Sequence, residues 1–156
     1  MAVQAGIDPV VVVAGEHISA IREALKDLPA AVVNNPDWES GQSSSIRVGL
    51  DALPERVGAV MFLLGDQPQI PPGLPHALVD IHSSTLPPIV APIVDGQRAN
   101  PVLFDRTTFK DLRQLQGDVG GRALFSRYPV TWLEWHDPAV LQDIDTPDDY
   151  LSLVHQ

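Results

Sequence analysis

Apolar residues along the chain fall into short unbroken runs separated by amphipathic stretches, the pattern of buried strands alternating with helices. Val10 to Val13 is a β-branched run ending at Ala14-Gly15 and predicts a strand. From Glu16 to Leu28, Ile18, Ile21, Leu25 and Leu28 recur at helical spacing, and Pro29 ends the helix. Ala30 to Val33 completes a βαβ unit. A polar, turn-rich segment from Asn34 to Ser45 then runs into a helix striped by Ile46, Leu50 and Leu53. Val57 to Leu64 reads as a strand buried on both faces, and it stops abruptly at Gly65-Asp66-Gln67-Pro68. Leu74, Leu78 and Ile81 mark another helix. Ile89 to Val94 and Pro101 to Phe104, joined through the turn at Asp95 to Arg98, predict an antiparallel excursion at the sheet's edge. Asp105 to Leu115 is helical, Asp118 is placed as the cap of a helix carrying Leu124, Phe125 and Tyr128, and Val130 to Trp135 is a last strand. Asp143 to Tyr150 opens a final helix with Asp145 or Thr146 as cap and Pro147 in the first turn. The sum is a doubly wound α/β domain of 156 residues.

Composition narrows the chemistry. A formal charge of −10 is the wrong sign for nucleic acid or an anionic membrane surface. An anionic ligand must therefore be held locally, by backbone N–H groups, a few arginines or a metal. There is no cysteine, which removes disulfides and thiolate catalysis. No apolar run is long enough for a membrane helix and Met1 to Gly6 does not resemble a signal peptide, so a cytoplasmic location is expected.

Ligands of open α/β sheets bind where strands end, so Asp66 is the first candidate for chemistry, against the plainer reading of a turn residue. Asp143 and Asp145 form a second acidic locus before the last helix. Two carboxylates from distant parts of a chain can hold a hard cation such as Mg²⁺ together with substrate phosphates; the competing reading is that the acids only cap the helix. Ser43, Ser44 and Ser45 after Gly41 can cap their helix or offer its N–H groups to an anion. The five histidines are read as surface or interface residues, Trp132 and Trp135 as packing, and Trp38 as an aromatic able to line a pocket. Arg122 can face an anion or a neighbouring acid.

Four segments in order, Leu63 to Pro68, Asn100 to Phe104, Leu115 to Arg122 and Asp143 to Tyr150, resemble the MobA-like nucleotidyltransferases, and within them the molybdenum cofactor cytidylyltransferases. The resemblance runs from about Ala5 to the C-terminus. Gly65-Asp66-Gln67-Pro68 is similar to the cytidylyl branch; the guanylyl branch usually carries a cysteine before the aspartate. It implies a Rossmann-like, mostly parallel sheet with helices on both faces, of the nucleotide-diphospho-sugar-transferase kind. Asp66 and Asp145 would be catalytic, and Asp66, Asp145 and Asp143 would bind Mg²⁺. Gly41, Ser44, Ser45, Gly65 and Asp66 would contact the nucleotide, and Asn100, Pro101 and Arg122 would lie on the acceptor side. The implied reaction transfers CMP from CTP to a molybdopterin-type phosphate with release of pyrophosphate. CTP is favoured over GTP, and a molybdoenzyme or its chaperone is the implied protein partner.

Two departures accompany the resemblance. Ala99-Asn100 stand where the family carries a glycine and a histidine. The family's first strand and its glycine-rich, Arg- and Lys-bearing loop have no counterpart before Val10, so residues 1–156 are expected to be a single domain shortened at its N-terminus. The alternative functions are accordingly an inactive remnant, a non-catalytic nucleotide- or partner-binding module, or a guanylyltransferase of the same family.

Overall fold

The computed structural model describes residues 2–144 and 146–154; Asp145 lies outside the described residues. Strand β1 (Val10–Ala14), helix α1 (Ile18–Leu25) and strand β2 (Ala30–Asn34) form the expected βαβ unit, with β1 and β2 parallel from Val10↔Ala30 to Ala14↔Asn34. Helix α2 (Gln42–Asp51), strand β3 (Ala59–Phe62), helix α3 (Gly73–Thr85), strand β4 (Ile89–Val94), strand β5 (Gln97–Arg98) and strand β6 (Val102–Asp105) follow. Helix α4 (Phe109–Arg113), strand β7 (Val130–Glu134) and helix α5 (Pro147–Val154) complete the order.

β1 and β2 form one sheet, and a second runs β3-β6-β4-β5 with β7 parallel to β4. β6 is antiparallel to both β3 and β4. The segment placed at the sheet's edge by its sequence thus lies inside it: β6 has β3 and β4 as neighbours, and β4 has β6 and β7. The burial explains this, because Ile89, Val90, Ala91, Leu103 and Phe104 are all at most 3 % exposed, which requires cover on both faces.

Residue alternation divides the core. Ile89, Ala91, Val102 and Phe104 pack with Ile46 and Leu50 of α2 and with Leu112 and Leu124, whereas Val90, Val94 and Leu103 pack with Leu74 and Leu78 of α3 and with Val140. Helices therefore cover both faces of the larger sheet. Helix α2 also packs on β1 and β2, with Gly49 beside the Val13 side chain, and so joins the two sheets. Its small and polar first turn leaves the apolar stripe for later turns. At the C-terminus Thr146 and Asp149 form a reciprocal cap: Asp149 N–H donates to Thr146 Oγ1, and Asp149 Oδ2 accepts from Thr146 N–H.

His82 departs from its expected surface position. It is 9 % exposed, and its Nε2 lies 2.9 Å from Asp105 Oδ2. Burial by itself raises the Asp105 carboxyl, but hydrogen bonds from the Thr107 N–H and hydroxyl and the contact with His82 outweigh it and hold the carboxyl below its ordinary value. The folded carboxyl then takes up a proton less readily than the unfolded one, so its contribution is complete above the ordinary carboxylate value and is lost as pH falls through the lower folded one. Thermal melts between about pH 5 and pH 3 should show the wild-type chain losing more of its melting temperature than Asp105→Asn.

Candidate metal and nucleotide site

The C-terminal end of β3, the start of β6 and the ends of β4 and β7 meet at one sheet edge, because Phe62 pairs with Val102 and Ile93 with Glu134. The Gly65-Asp66-Gln67-Pro68 turn leaves β3 at this edge. Asn100 and Pro101, joined by a cis peptide, stand just before β6 at the same edge, with Asn100 half-buried and Pro101 buried. The chain returns from β7 through Val140 and reaches Asp66 again. There Ile144 N–H donates to the Asp66 carbonyl at 2.8 Å, and Gln67 Nε2 donates to Asp143 Oδ1 at 2.6 Å.

These two bonds bring together segments separated by 76 residues of sequence. Asp66 and Asp143 are both exposed, and neither is in a salt bridge among the described residues. No three acids or histidines converge as a metal cage among the described residues. A pair of exposed carboxylates nevertheless suits Mg²⁺ or Mn²⁺, which accept one or two protein oxygens and fill the remaining positions with water and phosphate oxygens. Gly65 is exposed, and a Cβ there would meet nothing within 4 Å, so a ligand can approach its backbone.

The serine segment is built differently from its simplest reading. No serine caps α2. Asp118, expected to cap the following helix, instead accepts from Gln42 N–H at 3.3 Å, while Ser43 N–H donates to the Gly117 carbonyl at 3.2 Å and Ser44 N–H to the Gly41 carbonyl at 3.1 Å. The segment Asp118 was assigned to is a 3-10 turn over Gly121–Ser126 with an uncapped start. Three N–H groups of the first turn of α2 are therefore already bonded within the protein. Ser44 is buried, its hydroxyl donating to the Gly41 carbonyl and accepting from Asn35 Nδ2 at 2.8 Å; the same Nδ2 donates to Ser45 Oγ at 3.0 Å. Ser43 Oγ is buried without a hydrogen-bond partner among the described residues.

Asn35, Gln67 and Asp118 make bonds that their sequence setting does not announce. Asn35 is 1 % exposed; its Oδ1 accepts from Asp37 N–H, and its backbone N–H donates to the Ala14 carbonyl. A polar residue directly after an apolar strand was the available signal for it, but nothing local announced the serines as its partners. Asn35→Ala removes three side-chain hydrogen bonds at a buried residue and should cost about 2–3 kcal/mol, measured by urea unfolding.

Other expected residues are more loosely tied. Arg122 is exposed on the Gly121–Ser126 turn, where a Cβ at the neighbouring Gly121 would lie 2.7 Å from the Phe104 ring. Trp38 is 42 % exposed and lies against Gly15. Trp132 packs edge-on against Phe125 with centroids 5.8 Å apart. A cleft of about 290 Å³ lined by Leu50, Glu55, Arg106 and Arg113 lies at the opposite edge, since Asp105 pairs with Ala59 at the start of β3. Its arginines already donate to the carbonyls of Glu55, Val57 and Leu50 and to Asp51. No described helix is long and apolar enough to cross a membrane.

The purine catabolism protein PucB of Bacillus subtilis is 34 % identical over 119 residues, covering 73 % of this chain and 56 % of its own length; the chain thus spans about half of that relative. The nicotine blue oxidoreductase of Paenarthrobacter nicotinovorans is 26 % identical over 158 residues, covering 96 % of this chain and 76 % of its own. The crystal structure of Rv0371c from Mycobacterium tuberculosis superposes with a TM-score of 0.82 at 31 % identity, over 99 % of this chain and 80 % of that one. A second structure of Rv0371c is a complex with manganese. These likenesses give the fold as the Rossmann-like type of the nucleotide-diphospho-sugar transferases. With the MobA-like NTP transferase domain matched over residues 1–132, the chain belongs to that family of nucleotidyltransferases.

Proposed function

We propose that the chain transfers a nucleotidyl group, CMP from CTP, to the phosphate of a molybdopterin-type acceptor. An acceptor phosphate oxygen bonds to the α-phosphorus of CTP, the bond from that phosphorus to the α,β-bridging oxygen breaks, and pyrophosphate leaves. The observation that carries this reading is the pair of bonds joining Asp66-Gln67 to Asp143-Ile144. It supports a centre at which Asp66, Asp143 and Asp145 serve as ligands for Mg²⁺. When bound there, the ion would offset charge on the triphosphate and on the departing pyrophosphate, in a chain whose net charge of −10 does not favour an anion.

The protein's own contribution is position. Gly65 lets the nucleotide come close to the backbone beside Asp66, and Asn100 and Pro101 at the same edge are suited to the acceptor. Ser45, held with the buried Ser44 by Asn35, is suited to a stiff wall for the nucleotide. Nothing in this scheme calls for a protein nucleophile.

The second reading is a nucleotide-binding module without turnover. It is favoured by one observation: Asp118 and Gly117 occupy N–H groups at the start of α2 that a phosphate would otherwise take. Incubation with Mg²⁺, a pterin monophosphate and either CTP or GTP separates the readings. Turnover gives pyrophosphate and the dinucleotide by mass spectrometry, with CTP the better donor. Binding of Mg²⁺-CTP without product supports the module, and preference for GTP identifies the guanylyl variant.

A further inference from the structure

We infer that Gln67 is a positioning residue, its amide fixing the Asp143 carboxylate for the divalent ion that Asp143 shares with Asp66. The inference rests on the metal-dependent reading above, in which the Gln67 bond only marks where the two acidic loci meet, and gives that side chain a task of its own.

Gln67 is 8 % exposed although it follows the exposed Asp66. Its Nε2 donates to Asp143 Oδ1 at 2.6 Å. The orientation of the amide follows from its partner: an ionised carboxylate only accepts, so the NH₂ must face it and the carbonyl must turn away. That leaves Gln67 Oε1 buried with no donor among the described residues. Burying a carbonyl in this way costs its hydration, and an apolar side chain of the same size would avoid that cost. The bond its Nε2 donates to the Asp143 carboxylate offsets that desolvation, so the net gain in stability from glutamine here is small.

The chemistry of an amide gives a further reason for glutamine. Lysine or arginine at this position would neutralise Asp143 and compete with a metal for it, whereas an acid would repel it. A neutral donor restrains the carboxylate and leaves its charge intact. Asp143 is exposed, so without Gln67 its side chain would sample several rotamers and have to be ordered when the ion arrives. Hydrogen bonds of this kind to metal-binding carboxylates typically account for 10- to 100-fold in affinity.

Titration of the full chain with Mn²⁺, with and without CTP, following free Mn²⁺ by electron paramagnetic resonance, tests the inference. Gln67→Met should weaken Mn²⁺ binding by about 10- to 100-fold, while the melting temperature without metal stays level or rises. In an Asp143→Asn background the same substitution should weaken binding no further, because its route of action has gone. Gln67→Asn, which keeps an amide but shortens its reach, gives the same readout if the methionine variant does not fold. Wild-type affinity in Gln67→Met, or an equal loss with and without Asp143, would overturn the inference and leave the metal site standing. Failure of the wild-type chain to bind Mn²⁺ in either condition, or binding undiminished in Asp66→Asn, would overturn the metal site and this inference with it.

Discussion

Asp66→Asn is expected to lower nucleotidyl transfer by about 10²- to 10³-fold, the loss typical when one preorganised electrostatic element is removed. Its effect on folding should be small. The Asp66 side chain is exposed, and the structural bond at this residue is made by its backbone carbonyl, which accepts from Ile144 N–H and is retained in the variant. Asparagine keeps the shape and removes the charge, so the two measurements should separate: pyrophosphate release collapses while the urea midpoint hardly moves. A comparable loss of stability would mean that Asp66 is mainly a turn residue, the plain alternative raised by its sequence setting.

Gly41→Ala carries the largest expected cost in stability, about 3–5 kcal/mol from backbone strain and overpacking together. Gly41 has φ +102°, and a Cβ there would lie 2.5 Å from Asp118 N and from the Gly117 carbonyl carbon. Both are backbone atoms, so no side chain can swing aside. To relieve the clash, the 117–118 turn must withdraw, which breaks the bonds from Gln42 N–H and Ser43 N–H that close the start of α2. Because α2 joins the two sheets, this loss should reach the fold as a whole. Gly96→Ala is the control: φ is +79° but nothing lies within 4 Å, so only the backbone cost of about 1–2 kcal/mol remains. Gly65→Ala, with open space and no positive φ, should leave stability unchanged. Chemical denaturation of the three variants ranks them.

The elements were legible where the information is local. Val10 to Val13, Ala30 to Val33 and Ile89 to Val94 each fill a strand, because unbroken β-branched and aliphatic runs have few other ways to be buried. The Thr146-Pro147 start of the last helix was visible for the same reason, since capping chemistry is completed within four residues. What escaped was closure over distance. Asp118 looks like the cap of the turn that follows it, and only packing shows it 76 residues away at Gln42. His82 sits on a helix whose pattern does not say which loop covers its last turn; that cover comes from Asp105 at the end of β6. The interior position of β6 was hidden by its short antiparallel pairing with β4, which in sequence resembles a hairpin.

At the candidate site the acidic residues stood out in the sequence, whereas the Gln67 carboxamide that bonds Asp143 and the Asn35 carboxamide that bonds Ser44 and Ser45 did not. Gln67 and Asn35 resemble ordinary loop residues until their burial and partners are known. The Asp66 and Asp143 loci, far apart in sequence, meet through one backbone and one side-chain bond, and the functional account depends on that meeting.

Anomalous diffraction from crystals of the chain grown with Mn²⁺ and CTP measures this convergence directly. The expected result is a manganese peak in contact with an Asp66 carboxylate oxygen and with the triphosphate, with the Asp143 carboxylate beside it. A well-occupied manganese peak bound to the nucleotide but remote from Asp66 would contradict it.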